Sequence, residues 1–169
     1  SKLDKYELSI LYYLVRYGKK RLFEVEEEED VTEKEQDIPA SMSVMEYIRF
    51  DLQRDGLWFQ HPLYKQMLDE SVEHLNEEDF FPSRYFLAHP DPSISKITAE
   101  ILEDRYELSK VHMKQCGDNV KKEDTPLAEE RQLSTSVPTV LTELKNAYIL
   151  SNIKELTALV KQKQNEGDM

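Results

Sequence analysis

Cysteine occurs once in these 169 residues, at Cys116, so no disulfide can form within the chain. A chain without internal cross-links fits a reducing compartment, and a cytoplasmic protein is expected. Glycine is nearly as scarce: Gly18, Gly56, Gly117 and Gly167 are the full complement. Turn-rich β folds need more glycine than this, and strand-like alternation is rare here, which leaves a helical chain. The four glycines stand alone, so no phosphate-cradling loop exists. No apolar run approaches the roughly 20 residues of a membrane-spanning helix. No signal-peptide pattern opens the chain either. Basic residues are outnumbered, 22 against 34 acids, for a formal net charge of −12. Such a surface repels duplex nucleic acid and anionic membranes, so neither is expected as a direct partner.

Metal-binding and catalytic signatures are missing as well. There is no His-Glu-x-x-His and no Cys-x-x-Cys. His112 and Cys116 lie one helical turn apart, but two ligands cannot close a zinc site. His61, His74 and His89 are scattered at helix boundaries, where capping and packing explain them. Carboxylate groups such as Glu77-Glu78-Asp79 and Glu103-Asp104 fall near expected helix ends, where solvation is the default. The aromatics Tyr6, Tyr12, Tyr13, Tyr17 and Phe23 fall at helical spacing, which marks core before base stacking. No catalytic residue, metal or cofactor is expected.

What is present is a series of amphipathic helices. Asp4 is expected to cap the first, with Glu7 completing a capping box, and Gly18 to end it. Arg21 to Val25 reads as a short extended piece. The nine acids between Glu24 and Asp37 then make a solvated loop, 24–42. Ser43 caps a helix stopped by Gly56, and Glu46 sits at its capping-box position. Pro62 opens a helix whose inner face is Tyr64, Met67, Leu68, Ser71, Val72 and Leu75. A short helix follows Phe80-Phe81-Pro82, and another pattern runs from Ser93 to about Gln115. The stretch 116–136 reads as a polar loop with at most a turn of helix near Leu127 to Gln132.

From Val137-Pro138 a helix of about seven turns is expected, ending at Asn165-Glu166-Gly167. Val137, Leu141, Leu144 and Tyr148 form one apolar seam; Ile149, Ile153, Leu156 and Val160 form a second that starts one residue later. One residue turns a helix by about 100°, so the two halves face different directions. Between Pro138 and Lys163 four lysines face two glutamates, a basic helix on an acidic protein. That asymmetry suits an acidic partner or, more simply, a solvated face. The division expected is a helical bundle over 1–136 and a long connecting helix over 137–169.

Several segments together resemble the C-terminal helicase-binding domain of bacterial replicative DNA primase. Lys5 to Leu14 (KYELSILYYL) is similar to that domain's first helix, and Trp58 to Leu68 (WFQHPLYKQML) to its Phe-x-x-Pro-x-Tyr entry into a helix. Phe86-Leu87-Ala88-His89 leading to Ser95-Lys96-Ile97 is similar to the next helix junction, and Val137 to Lys145 (VPTVLTELK) to the start of the long connecting helix. The resemblance spans nearly the whole chain and rests on the order and spacing of these motifs. It implies an all-α fold of about five to seven helices, in which the long helix begins a C-terminal helical hairpin. It also implies docking on the N-terminal domains of the hexameric replicative helicase, with primer synthesis left to other domains of the primase. The acidic and polar loops then read as insertions, and the hairpin's second arm is not found before Met169. The partner-binding residues implied are Ile149, Ile153, Leu156 and Val160, flanked by Lys154 and Lys161. The same seam packing on the hairpin's missing second helix is the competing reading. A second copy covering it in a homodimer, in a crystal or as a self-associating structural module, is the alternative function. A third alternative is a small enzyme using acidic residues in a helical pocket.

Overall fold

The computed structural model describes residues 1–22, 41–103 and 126–167. Among them are seven helices and no strand: α1 (Asp4–Tyr17), α2 (Val44–Arg54), α3 (Pro62–Glu73), α4 (Pro82–Leu87), α5 (Pro92–Glu103), α6 (Pro126–Arg131) and α7 (Leu133–Gly167). The architecture is the all-α bundle with a long C-terminal helix that the sequence predicts. His112, Cys116 and the acidic run Glu24 to Asp37 lie outside the described residues.

Helix α1 is apolar around most of its circumference and therefore takes the centre. Ile10, Leu11, Tyr12, Tyr13 and Leu14 are buried, and the helix packs on α2, α3, α4, α5 and α7. It ends at Gly18, and that position needs glycine for a steric reason. A Cβ there would stand 2.9 Å from the Pro82 ring and 2.5 Å from the Leu14 carbonyl oxygen, so only glycine lets α4 approach. After α1 the chain pairs briefly: Leu22 N–H donates to the Met42 carbonyl at 2.9 Å, beside a lone bridge between Arg21 and Ser43. The expected extended piece is that short within the described residues.

Ser43 caps α2 as expected, accepting the Glu46 N–H at 3.2 Å, and Gly56 leaves the helix with φ at +64°. Pro62 opens α3. Met67, Leu68, Ser71 and Leu75 of its predicted inner face are buried, while Tyr64 and Val72 are half-buried.

Two local expectations fail. Asp4 is the first residue of α1 and caps nothing; its carboxylate takes the amino terminus of Ser1 at 2.6 Å. Glu7 does not close a capping box but turns inward to another helix, as described below. The long helix also begins earlier than the Val137-Pro138 start. Leu133 is buried beside Val137, Val140, Leu141 and Leu144, and this contact extends the helix back through Ser134-Thr135-Ser136. Pro138 therefore sits inside α7, and the hydroxyl of Thr142 donates to its carbonyl at 2.9 Å.

Candidate docking surface

α7 has 35 residues, which makes it about 52 Å long. Its buried residues are Leu133, Val137, Val140, Leu141 and Leu144, all in the first half. Lys145 adds a polar anchor, its ammonium reaching the carboxylates of Asp51 and Asp55 on and just after α2, and Ala147 and Tyr148 still pack on the core beyond it. Partial burial opposes the charge on Lys145, but those two carboxylates win and hold its pKa above the ordinary lysine value. From Asn152 to Gly167 every residue is exposed. The arm from Ile149 onward is about 28 Å of helix with one side uncovered along its whole length.

That uncovered side is apolar. Ile149, Ile153, Leu156 and Val160 are 53–62% exposed and line up as one ridge. At 100° per residue this ridge points roughly 150° away from the buried set of the first half, closer to opposite than one residue of offset suggests. Leu133 and Val140 account for the difference, because they draw the buried face further round. Leu150 and Leu159, also more than half exposed, flank the ridge on its two sides. Lys163 continues its line toward the C-terminus.

The ridge thus brings together four of the six residues predicted to bind a partner. Lys154 and Lys161 fall roughly 120° round the helix from it. Lys154 instead lines a groove of about 810 Å³ between the start of α1 and α7, with Leu3, Tyr6, Ala147 and Leu150 as its apolar walls. The basic character expected of the long helix is also reduced. Lys145 is spent on Asp51 and Asp55, so the free arm from Ile149 to Gly167 carries three lysines against two glutamates. Leu150, Leu159 and Lys163 were legible from helical spacing once the phase of the ridge is fixed; a strict four-residue seam leaves them out.

The densest titratable cluster elsewhere is Glu70, Tyr85 and His89. Tyr85 donates its hydroxyl to Glu70 at 2.9 Å, and His89 Nε2 lies 3.0 Å from the same carboxylate. The Asp91 N–H donates to His89 Nδ1 at 3.0 Å, which places the proton of the neutral ring on Nε2. Both ring nitrogens and the carboxylate are consumed in tying α3 to α4 and the α4–α5 turn, so no free base is left. Burial raises the Glu70 pKa, yet hydrogen bonds from Gln66, Tyr85 and His89 outweigh it and hold it below the ordinary glutamate range. Among the described residues two carboxylates are buried: Glu7 and Asp51. Glu7 accepts the Gln60 N–H at 2.6 Å and the His61 N–H at 3.0 Å, at the start of α3. Glu129 of α6 accepts the hydroxyls of Tyr12, at 2.8 Å, and Tyr17. Each of these acids joins one element to another. Among the described residues no three His, Cys, Asp or Glu side chains converge as a metal site, and no helix is long and apolar enough to cross a membrane.

No curated protein and no solved structure matches the chain. A family model matches it from residue 1 to residue 169, and the chain belongs to that family, described as a domain of unknown function, DUF8430.

Proposed function

We propose that this chain is a non-catalytic interaction domain of a bacterial DNA primase, docking on the N-terminal domains of the replicative helicase and coupling primer synthesis to unwinding. One observation carries the docking part: the unpartnered ridge Ile149, Ile153, Leu156 and Val160 on an arm that leaves the bundle. Contiguous exposed aliphatic side chains mark interaction sites, because covering them removes apolar surface from water. Each of the four is already about half covered, so a partner gains roughly 1 kcal/mol per side chain from the remainder. An amphipathic helix laid into an apolar groove is the mode of recognition this geometry suits. The identity of the partner is supported by the resemblance of Lys5 to Leu14, Trp58 to Leu68 and Val137 to Lys145 to primase segments. The bundle's buried acids are all engaged in holding helices together, which supports a role in binding over chemistry. On this reading the protein acts in the cytoplasm, at the replication fork.

The test is titration of the chain against the N-terminal domain of a bacterial replicative helicase by calorimetry. Binding that is lost in Ile153→Asp and Leu156→Asp, with the bundle still folded, is the expected result. No heat of binding at any accessible concentration removes the helicase reading.

A further inference from the structure

The ridge has the order that lets it close on itself. Read as a heptad, Ile149 and Leu156 occupy d positions and Ile153 and Val160 occupy a positions, with Asn146 at the preceding a and Lys163 at the following d. Two such helices can meet in parallel or antiparallel, and charge separates the two. In parallel register each residue meets its own copy, so Lys163 faces Lys163. Antiparallel, about a two-fold axis between Lys154 and Glu155, Ile149 meets Val160, Ile153 meets Leu156, and Lys163 meets the uncharged Asn146. Leu150 then lies over Thr157, whose methyl extends the apolar contact on that flank, and Leu159 lies over Asn152.

The bundles give a second argument. From Ile149 to the end the chain carries three lysines against Glu155, Glu166 and Asp168, so the whole net charge of −12 resides on residues 1–148. A parallel pair sets the two bundles, each acidic over its described residues, side by side. An antiparallel pair separates Tyr148 from its copy by about 20 Å along the axis, beyond the roughly 8–10 Å over which exposed charges interact at physiological salt. There is also room for the second helix. Thr142, Asn146 and Ile149, on the line the partner must follow, are all exposed, because the bundle packs on the far side of α7.

The geometry points to a second copy of this chain as an occupant of the ridge: an antiparallel α7–α7 homodimer centred between Lys154 and Glu155. The inference rests on the reading of the ridge as a docking face, and makes dimerisation and helicase docking mutually exclusive, so that the dimer is a closed, stored form.

The experiment has three arms on the full chain. Sedimentation equilibrium of the chain alone should show a concentration-dependent dimer, and Leu156→Asp should raise its dissociation constant at least tenfold while circular dichroism keeps the bundle's helix content. In a Cys116→Ser background, the double variant Ile149→Cys with Val160→Cys should oxidise to a covalent dimer while each single variant stays monomeric. Helicase N-terminal domain added to the dimer should release monomer. A chain monomeric at every concentration overturns the dimer, even if it binds helicase. Single variants that cross-link as readily as the double show parallel packing and overturn the antiparallel arrangement. Helicase bound by an intact dimer overturns mutual exclusion. A dimer with no helicase affinity overturns the helicase reading and leaves the self-association standing.

Discussion

Lys145 of α7 and Asp51 of α2 form an ion pair with only 18% and 6% of their side chains exposed, one helical turn before the free arm begins. Asp51 also accepts from Arg54 at 2.6 Å, and Lys145 also reaches Asp55, so the pair is the centre of a four-residue clamp. It ties α7 to α2 near the end of the packed half, where Ala147 and Tyr148 still lie against the core. Removing one member of a buried pair strands the other, but here each keeps a second partner and part of the cluster is solvated. Asp51→Ala or Lys145→Ala should therefore cost about 1–3 kcal/mol, less than the 3–5 of a fully buried pair. Urea unfolding measures it; a change below about 0.5 kcal/mol, the range of ordinary surface substitutions, shows that α7 is held by its apolar seam alone.

How much of this was readable in the sequence follows the range of each signal. Local chemistry read well: Ser43 as a cap, Gly56 as a stop and Pro62 as a first-turn residue each act within four residues of their own position. The apolar seams of α1, α3 and α7 also read well, because burial needs only periodicity. The clamp was not legible, since Asp51 and Lys145 are 94 residues apart and nothing local distinguishes Asp51 from its solvated neighbours. Glu7 fails for the same reason: its spacing from Asp4 fits a capping box, but its partners are Gln60 and His61. The start of α7 was misplaced because Ser134-Thr135-Ser136 looks like loop, and only the burial of Leu133 carries the helix through it. The ridge was legible as a seam; its exposure was not, since an apolar stripe carries no mark of what covers it.

Glu7 is the buried acid whose loss should be felt most. It is 1% exposed and accepts two backbone N–H groups that begin α3, where the helix dipole also favours a negative charge. Glu7→Ala leaves both N–H groups without an acceptor, at a cost of about 2–4 kcal/mol. Glu7→Gln keeps an oxygen that serves one of them and should lose roughly half as much. Equal midpoints for the two variants in urea would show that the charge, and not the hydrogen bonds, carries the stabilisation.

The Glu70 cluster sets an acid limit to stability. Its carboxyl is held below the ordinary value of 4.5 in the folded chain, despite burial, by its hydrogen bonds to Gln66, Tyr85 and His89. A depressed acid contributes its full stabilisation above 4.5, where the unfolded group is also ionised, and loses it as pH falls through the lower folded value. Glu70→Gln should therefore melt about 2–4 °C lower than the parent at pH 7, the shift expected of about 1 kcal/mol in a chain of this size. As pH falls below 4.5 and through the lower folded value, the two melting curves should converge. Lys145 acts with opposite sign: its raised pKa gives a contribution complete below 10.5 and lost as pH rises through the higher folded value. A difference between Glu70→Gln and parent that persists unchanged at pH 3 would mean that packing, not ionisation, distinguishes them.

The two halves of α7 should differ in amide exchange far more than their equal helicity suggests. In the first half Val137, Val140, Leu141 and Leu144 are buried against the bundle, so opening there must break the core. After Ile149 only Ser151 among the described residues falls short of exposed, and Leu150, Ser151, Lys154 and Glu155 line the groove beside α1. The anchored half supplies the nucleus, but the arm is then held by propagation alone, which is close to neutral per residue in water, so it frays from its free end. Amides from Asn152 to Gly167 should exchange at least a hundredfold faster than those from Leu141 to Tyr148 when the chain is dilute. Raising the concentration, or adding a partner that covers the ridge, should slow the arm and leave the first half unchanged. The side chains predict the order of protection as well: amides on the turns of Ile153 and Leu156, at the centre of the ridge, slow first and most. Uniform protection along α7 in the dilute monomer would mean that the arm is stabilised by its own sequence, and that covering the ridge is not what orders it.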